Sequence, residues 1–203
     1  MDNILLNPYK LLDSNRKKKI AIIIVSLFWI ITQILVTVNF FNSDVLKQMT
    51  DKIEDIPYWL FVAIMVFIQL FFTFINIILI TIIFKVVTMF LLKKLPLLKI
   101  LYIFYISQIP IFIGMILNSI FVSIDNNSEI ILSITSLGFP ASFLTSNNIV
   151  LSILNSLDLF DLWATIIISN GIHVYNNRDS FKKIFITIFL TYFLVKIFTN
   201  LLF

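Results

Sequence analysis

The stretch LDLFDLWATIIISNGIHVYNN, residues 157 to 177, holds two carboxylates three residues apart and the only histidine of the chain. Such a set could serve as an acid pair with a base, or as a cation site. Asp158 and Asp161 fall on one helical face, which continues through Thr165 and Ser169, so one reading makes them the mouth of a polar path. The simpler reading places them in the first turn of a helix, where carboxylates cap free N–H groups and favour the positive end of the dipole. His173, at the far end of the run, reads as an interface residue rather than a ligand.

Other catalytic chemistries lack their parts. A zinc hydrolase needs a histidine pair plus a further ligand, and the chain has one histidine and no cysteine. The three glycines sit in IGM, LGF and NGI, so no G-x-S nucleophile motif and no G-x-x-x-x-G-K-S/T phosphate loop exists. Arg16 and Arg178 are the only arginines and both flank apolar runs, which leaves no arginine fork for a phosphate. The expectation is a protein that is not an enzyme, holds no metal or cofactor, and binds no nucleic acid.

The medium around the acids follows from composition. The chain is 60% hydrophobic and 13% charged with a mean hydropathy of +1.02, whereas a soluble domain is about half apolar and about a quarter charged. The fold class is an all-α integral membrane protein. A hydrocarbon core of roughly 30 Å takes about 20 helical residues. Runs at about 20–41, 58–84, 100–124 and 184–203 are long enough, and 157–175 joins them if Asp158 and Asp161 lie at its polar edge. That makes five transmembrane helices with short interfacial segments.

Residues 129–144 are apolar but short, and Gly138 and Pro140 interrupt any helix there, so this stretch reads as interfacial or re-entrant. Lys85 is expected to snorkel at the inner interface while Val86 to Leu92 lie along it. Residues 1–19 form a short cytoplasmic, interfacial segment, and 20–203 a single membrane domain. The RKKK before the first span marks a retained anchor rather than a signal peptide, because the apolar run is too long and no small-x-small site closes it.

Basic residues are enriched on the cytoplasmic side of membrane segments. With the N-terminus inside, five spans put Lys10, Arg16, Lys17, Lys18, Lys19, Lys85, Lys93, Lys94, Lys99, Arg178, Lys182 and Lys183 inside, twelve of the fifteen basic residues. The acids Asp44, Asp51, Glu54, Asp55, Asp125, Glu129, Asp158 and Asp161 fall outside. A multi-pass protein of the cytoplasmic membrane results, N-terminus in and C-terminus out. Lys196 is the one charge well inside a span, and its stem can reach the outer interface.

Polar residues within the spans are read as helix-packing groups, since amides in lipid turn inward and bond between helices. Gln69, Thr73 and Asn76 make one such stripe. Ser107 and Gly114 flank Pro110 on one face of the third span and offer a surface for close helix approach, within the protein or to a partner.

Two stretches resemble a known family. LFDLWATIIISNGIHVYNN is similar to the last-but-one span of the Yip family of Ypt/Rab-interacting membrane proteins, whose pattern of an acid, Phe, Trp and Gly is carried here by Asp158, Phe160, Trp163 and Gly171, with Asp161 beside them. LPLLKILYIFYISQIPIFIGMIL resembles the family's third span with its proline kink, carried by Ser107, Pro110 and Gly114, and NPYKLL before the first span is a third echo. Five spans in this order and a short N-terminal segment resemble the bacterial branch. That resemblance implies an accessory subunit of a membrane complex, partnered by the lipid bilayer and by other membrane proteins such as ABC transporter subunits, or by itself. The associated role is the export of, or resistance to, antimicrobial or toxic peptides. A self-sufficient immunity protein, a small-solute permease using Gln69, Thr73 and Asn76, and a Rab-linked trafficking factor remain as alternatives.

Overall fold

The computed structural model of the protein describes residues 15–41, 57–91, 95–122, 132–175 and 179–202. The NPYKLL stretch, the segment with Asp125 and Glu129, and Arg178 lie outside these residues. Among the described residues all regular structure is helical: α1 (Asn15–Phe41), α2 (Tyr58–Leu91), α3 (Leu97–Ile106), α4 (Gln108–Val122), α5 (Gly138–Ala141), α6 (Asn148–Asn155), α7 (Leu159–Tyr175) and α8 (Phe181–Leu202). One isolated antiparallel bridge joins Ser136 to Asp158.

Three segments among the described residues are long and apolar enough to cross a membrane: Arg16–Asn39, Trp59–Met89 and Leu97–Phe121. The two later spans expected from sequence, 157–175 and 184–203, are not among these three. Helix α7 has 17 residues, about 25 Å at a rise of 1.5 Å per residue, and it opens with a buried acid. Helix α8 has 22 residues.

Two boundaries differ from expectation. The second helix does not stop near Phe84 with a separate segment lying along the interface. Helix α2 continues to Leu91 as 34 residues, roughly 51 Å, because nothing in IFKVVTMFL interrupts it. Lys85 donates to the Leu95 carbonyl just ahead of α3, so its ammonium has a protein partner where α2 meets the start of the next helix.

The third long segment is two helices, divided at Ser107. Pro110 has no N–H to give the Ile106 carbonyl, which opens the ladder there. Two side chains bond to the backbone beside the break: Ser107 Oγ donates to the Phe104 carbonyl at 2.7 Å and Gln108 Nε2 to the same oxygen at 3.2 Å.

Packing centres on α3, α4 and α7. Helix α1 lies mainly on α4, α2 on α3 and α1, and α7 between α4 and α8. The core contains Trp29, Phe84, Phe104, Phe112, Ile168 and Ile188. Trp29 stacks on Phe112 at 6.2 Å, and Phe84 meets Phe104 at 4.6 Å between ring centroids. Aromatic contacts of this kind add about 0.5–1.5 kcal/mol beyond the area they bury. Side-chain hydrogen bonds tie α1 to three neighbours: Ser26 to Tyr105 of α3, Thr37 to Gln69 of α2 at 2.9 Å, and Asn39 to Ser119 of α4 at 3.1 Å.

Helix α2 is the exception to this packing. Only 11% of its most apolar stretch is buried, against 50% for Leu97–Phe121. Phe67, Phe71, Phe72 and Phe74 all point away from the core.

Candidate functional site

The opening acids are brought together, but with different partners. Asp158 precedes α7, and its Oδ1 accepts from the Phe160 amide at 2.8 Å, which is the capping role the sequence suggests. Its Oδ2 accepts from the hydroxyls of Ser133 and of Thr135, the latter at 2.7 Å. Asp161 is not a cap. It faces α8, where Oδ1 accepts from the Tyr192 hydroxyl at 3.2 Å and Oδ2 pairs with the Lys196 ammonium. Lys196 closes an ion pair between two helices.

The segment before α5 is held in place to serve this arrangement. The bridge gives Leu137 N–H to Leu157 O at 3.0 Å and Leu159 N–H to Thr135 O at 3.1 Å. Asn118 of α4 accepts from the Ile134 amide at 3.1 Å and donates to Ser133 Oγ at 2.9 Å. Asn155 of α6 accepts from the Ser133 amide at 2.9 Å. Gly138 lets α5 sit against α6, since a Cβ there would come within 2.9 Å of the Asn155 backbone nitrogen. Helix α6 in turn starts on Asn147, whose Oδ1 accepts from the amides of Ile149 and Val150 at 3.0 and 3.2 Å.

Between this segment, the start of α7 and the side of α8 lies a cavity of about 270 Å³. Its polar lining includes Asp158, Asp161, Thr135, Thr165 and Tyr192, and its apolar lining is leucines 137, 157, 159 and 162 with Phe189 and Phe193. The phenylalanine wall is the end of a ladder along α8, in which Phe181, Phe185, Phe189 and Phe193 stack in turn at 6.1, 5.9 and 6.0 Å. Leu137, Leu159 and Leu162 are exposed and form an apolar rim.

The stripe foreseen below the acids is internal. Thr165 and Ser169 are buried, and each hydroxyl returns to its own helix, on Leu162 O at 2.7 Å and Thr165 O at 2.6 Å. His173 lies 12 residues beyond Asp161 on α7, about 18 Å along the axis, so it cannot work with the acids. Its ring meets Phe181 edge-on at 6.0 Å, and among the described residues its Nδ1 has no partner.

The other residues singled out in the sequence divide clearly. Gln69 accepts from Thr37, Thr73 bonds its own backbone at Gln69 O, and Asn76 is exposed. Ser107, Pro110 and Gly114 are all buried within the chain. A Cβ on Gly114 would lie 2.9 Å from Phe160 Cδ2, so of the two uses expected for this small residue, packing within the protein or contact with a partner, the structure has the first, against α7. Phe160 thus explains Gly114, and two positions that look like separate family echoes form one contact. Trp163 packs on the core and against Phe160, with ring centroids 6.3 Å apart, and Gly171 is buried.

Sequence reasoning missed Ser133, Thr135, Asn155 and Tyr192; Asn118 was legible only as one more amide in an apolar run. A signal for the ion pair did exist, because a lone lysine deep in an apolar run calls for a counter-charge. No family model, curated protein or solved structure matches this chain.

Proposed function

We propose that the protein is a non-enzymatic, five-span protein of the cytoplasmic membrane, N-terminus inside, that acts as an accessory subunit of a membrane complex. The observation that carries this reading is α2: an apolar segment of 31 residues, Trp59–Met89, of which only 11% of the most apolar stretch is buried. A helix that long and that bare contributes little to its own protein's core and leaves a phenylalanine-rich face to lipid and to other helices. The Yip-like pattern at Asp158, Phe160, Trp163 and Gly171 supports an ABC-type export system for antimicrobial or toxic peptides as the complex.

The buried polar groups favour this over a permease. Gln69 is tied to Thr37 and Thr73 to its own helix, and Asn76 is exposed, so the stripe that would line a path is divided between three environments.

Extraction from native membranes in mild detergent tests the proposal. The expected result is a stoichiometric complex with a transporter subunit, dissociated by Phe67→Arg and Phe71→Arg on the bare face of α2. A monomer that protects cells from a peptide toxin on its own would replace this reading with a self-sufficient immunity protein.

A further inference from the structure

We propose that the cavity between α7 and α8 binds a small lipophilic primary amine, with the ammonium seated between Asp158 and Asp161 and the apolar stem lying along Phe189, Phe193 and Leu162. This assignment does not depend on the number of spans or their orientation. Volume sets the size of the ligand. At about 270 Å³ the cavity lies just below the usual range for drug-sized pockets, about 300 to 1,000 Å³, which suits a small ligand.

Charge sets the sign. Among the described residues the lining carries two carboxylates, Asp158 and Asp161, and no cationic side chain; Lys196, outside the lining, pairs with Asp161, and Asp158 has no ion-pair partner. Hydrogen-bonding capacity gives the same answer. An ionised carboxylate offers about four lone-pair sites; among the described residues Asp158 accepts three bonds and Asp161 two. About three acceptor positions remain, which matches the three N–H donors of a primary ammonium. Leu137, Leu159 and Leu162 of the lining are exposed while Asp158 and Asp161 are buried, so an apolar stem can leave past the leucines.

The test uses the full chain in phosphatidylcholine nanodiscs, titrated calorimetrically with n-octylamine, n-octanol and n-octanoate, with empty discs subtracted. Saturable one-site binding of octylamine is expected, at least tenfold tighter than octanol, with no saturation by octanoate. Asp158→Asn keeps the helix cap and removes the charge; it should weaken octylamine at least tenfold while leaving octanol unchanged. Leu162→Trp and Phe193→Trp fill the cavity from two different helices, so a folded example of either should abolish binding of both ligands. Equal affinity for octylamine and octanol, or unchanged octylamine affinity in folded Asp158→Asn, overturns the proposal, as does octylamine uptake no greater than by empty discs. Repeating the titration with half the lipid as phosphatidylethanolamine separates the sources of the amine: competition assigns the site to a lipid head group, and its absence to a free amine.

Discussion

Removing either half of the Asp161–Lys196 pair should harm the protein more than removing both. Asp161 is nearly enclosed, with 10% of its side chain exposed, whereas Lys196 retains 31%. Lys196→Met leaves a buried carboxylate with Tyr192 as its remaining donor. Breaking a buried pair this way costs about 3–5 kcal/mol, and the partial exposure of the pair places this case near 3. Asp161→Asn frees an ammonium on a flexible stem that can turn outward, and about 1–2 kcal/mol is expected. The double variant has neither charge to desolvate and should lie within about 1 kcal/mol of the parent, because well-packed replacements of buried pairs are often neutral. Additivity would predict a loss of about 4–5 kcal/mol, so the coupling is large enough to measure. Reversible unfolding of purified protein in mixed micelles, followed by helical circular dichroism, supplies the three free energies. If the double variant is as unstable as the sum of the singles, the two side chains are not energetically joined and the contact between α7 and α8 must be carried by the apolar residues alone.

Three further outcomes are expected. Gly114→Ala gains about 1 kcal/mol of helix propensity but forces a methyl against Phe160, an overpacking cost of about 1–3 kcal/mol, for a net loss of about 1; in a Phe160→Ala background the same change should become neutral or stabilising, and equal destabilisation in both backgrounds would dismiss the contact. Gln33 is 1% exposed and its amide nitrogen has no partner among the described residues, so Gln33→Met should raise stability by about 1 kcal/mol in the same unfolding assay; a fall of that size would mean that the amide is satisfied. Single cysteines at Ser43, Asn126 and Asn177 in this cysteine-free chain report topology in intact cells: an impermeant maleimide should label the first two and not the third, and labelling at Asn177 would refute five spans.

Local sequence was sufficient for whatever depends on local chemistry. Apolar runs of the length needed to cross a bilayer gave the long helices, since in lipid the backbone can satisfy its polar groups only within the segment. The third segment was expected as one span with a proline kink implied by the family resemblance, and it is divided at Ser107, three residues before Pro110, whose missing N–H leaves the Ile106 carbonyl open. Asp158 as a cap was legible because capping joins a side chain to an amide two residues on. The expected end of the second span near Phe84 failed for a related reason: one lysine in an apolar run does not terminate a helix, and Lys85 finds the Leu95 carbonyl instead.

Everything that unites distant residues needed the tertiary structure. Asp161 and Lys196 are 35 residues apart, and Asp158 and Ser133 are 25 apart; no periodicity links them. The two acids look alike in sequence, yet one ends as a cap and the other as half of an ion pair, because α7 turns only the second toward α8. Gly114 left open whether its surface serves the protein or a partner, because a sequence shows that a residue is small but not what fills the space beside it. Phe160 fills it, from a helix more than forty residues further along the chain. The cavity is the extreme case. It exists only where the segment around Thr135, the start of α7 and the phenylalanine ladder of α8 meet without closing, and a void between three elements is a property of their packing rather than of any residue in them.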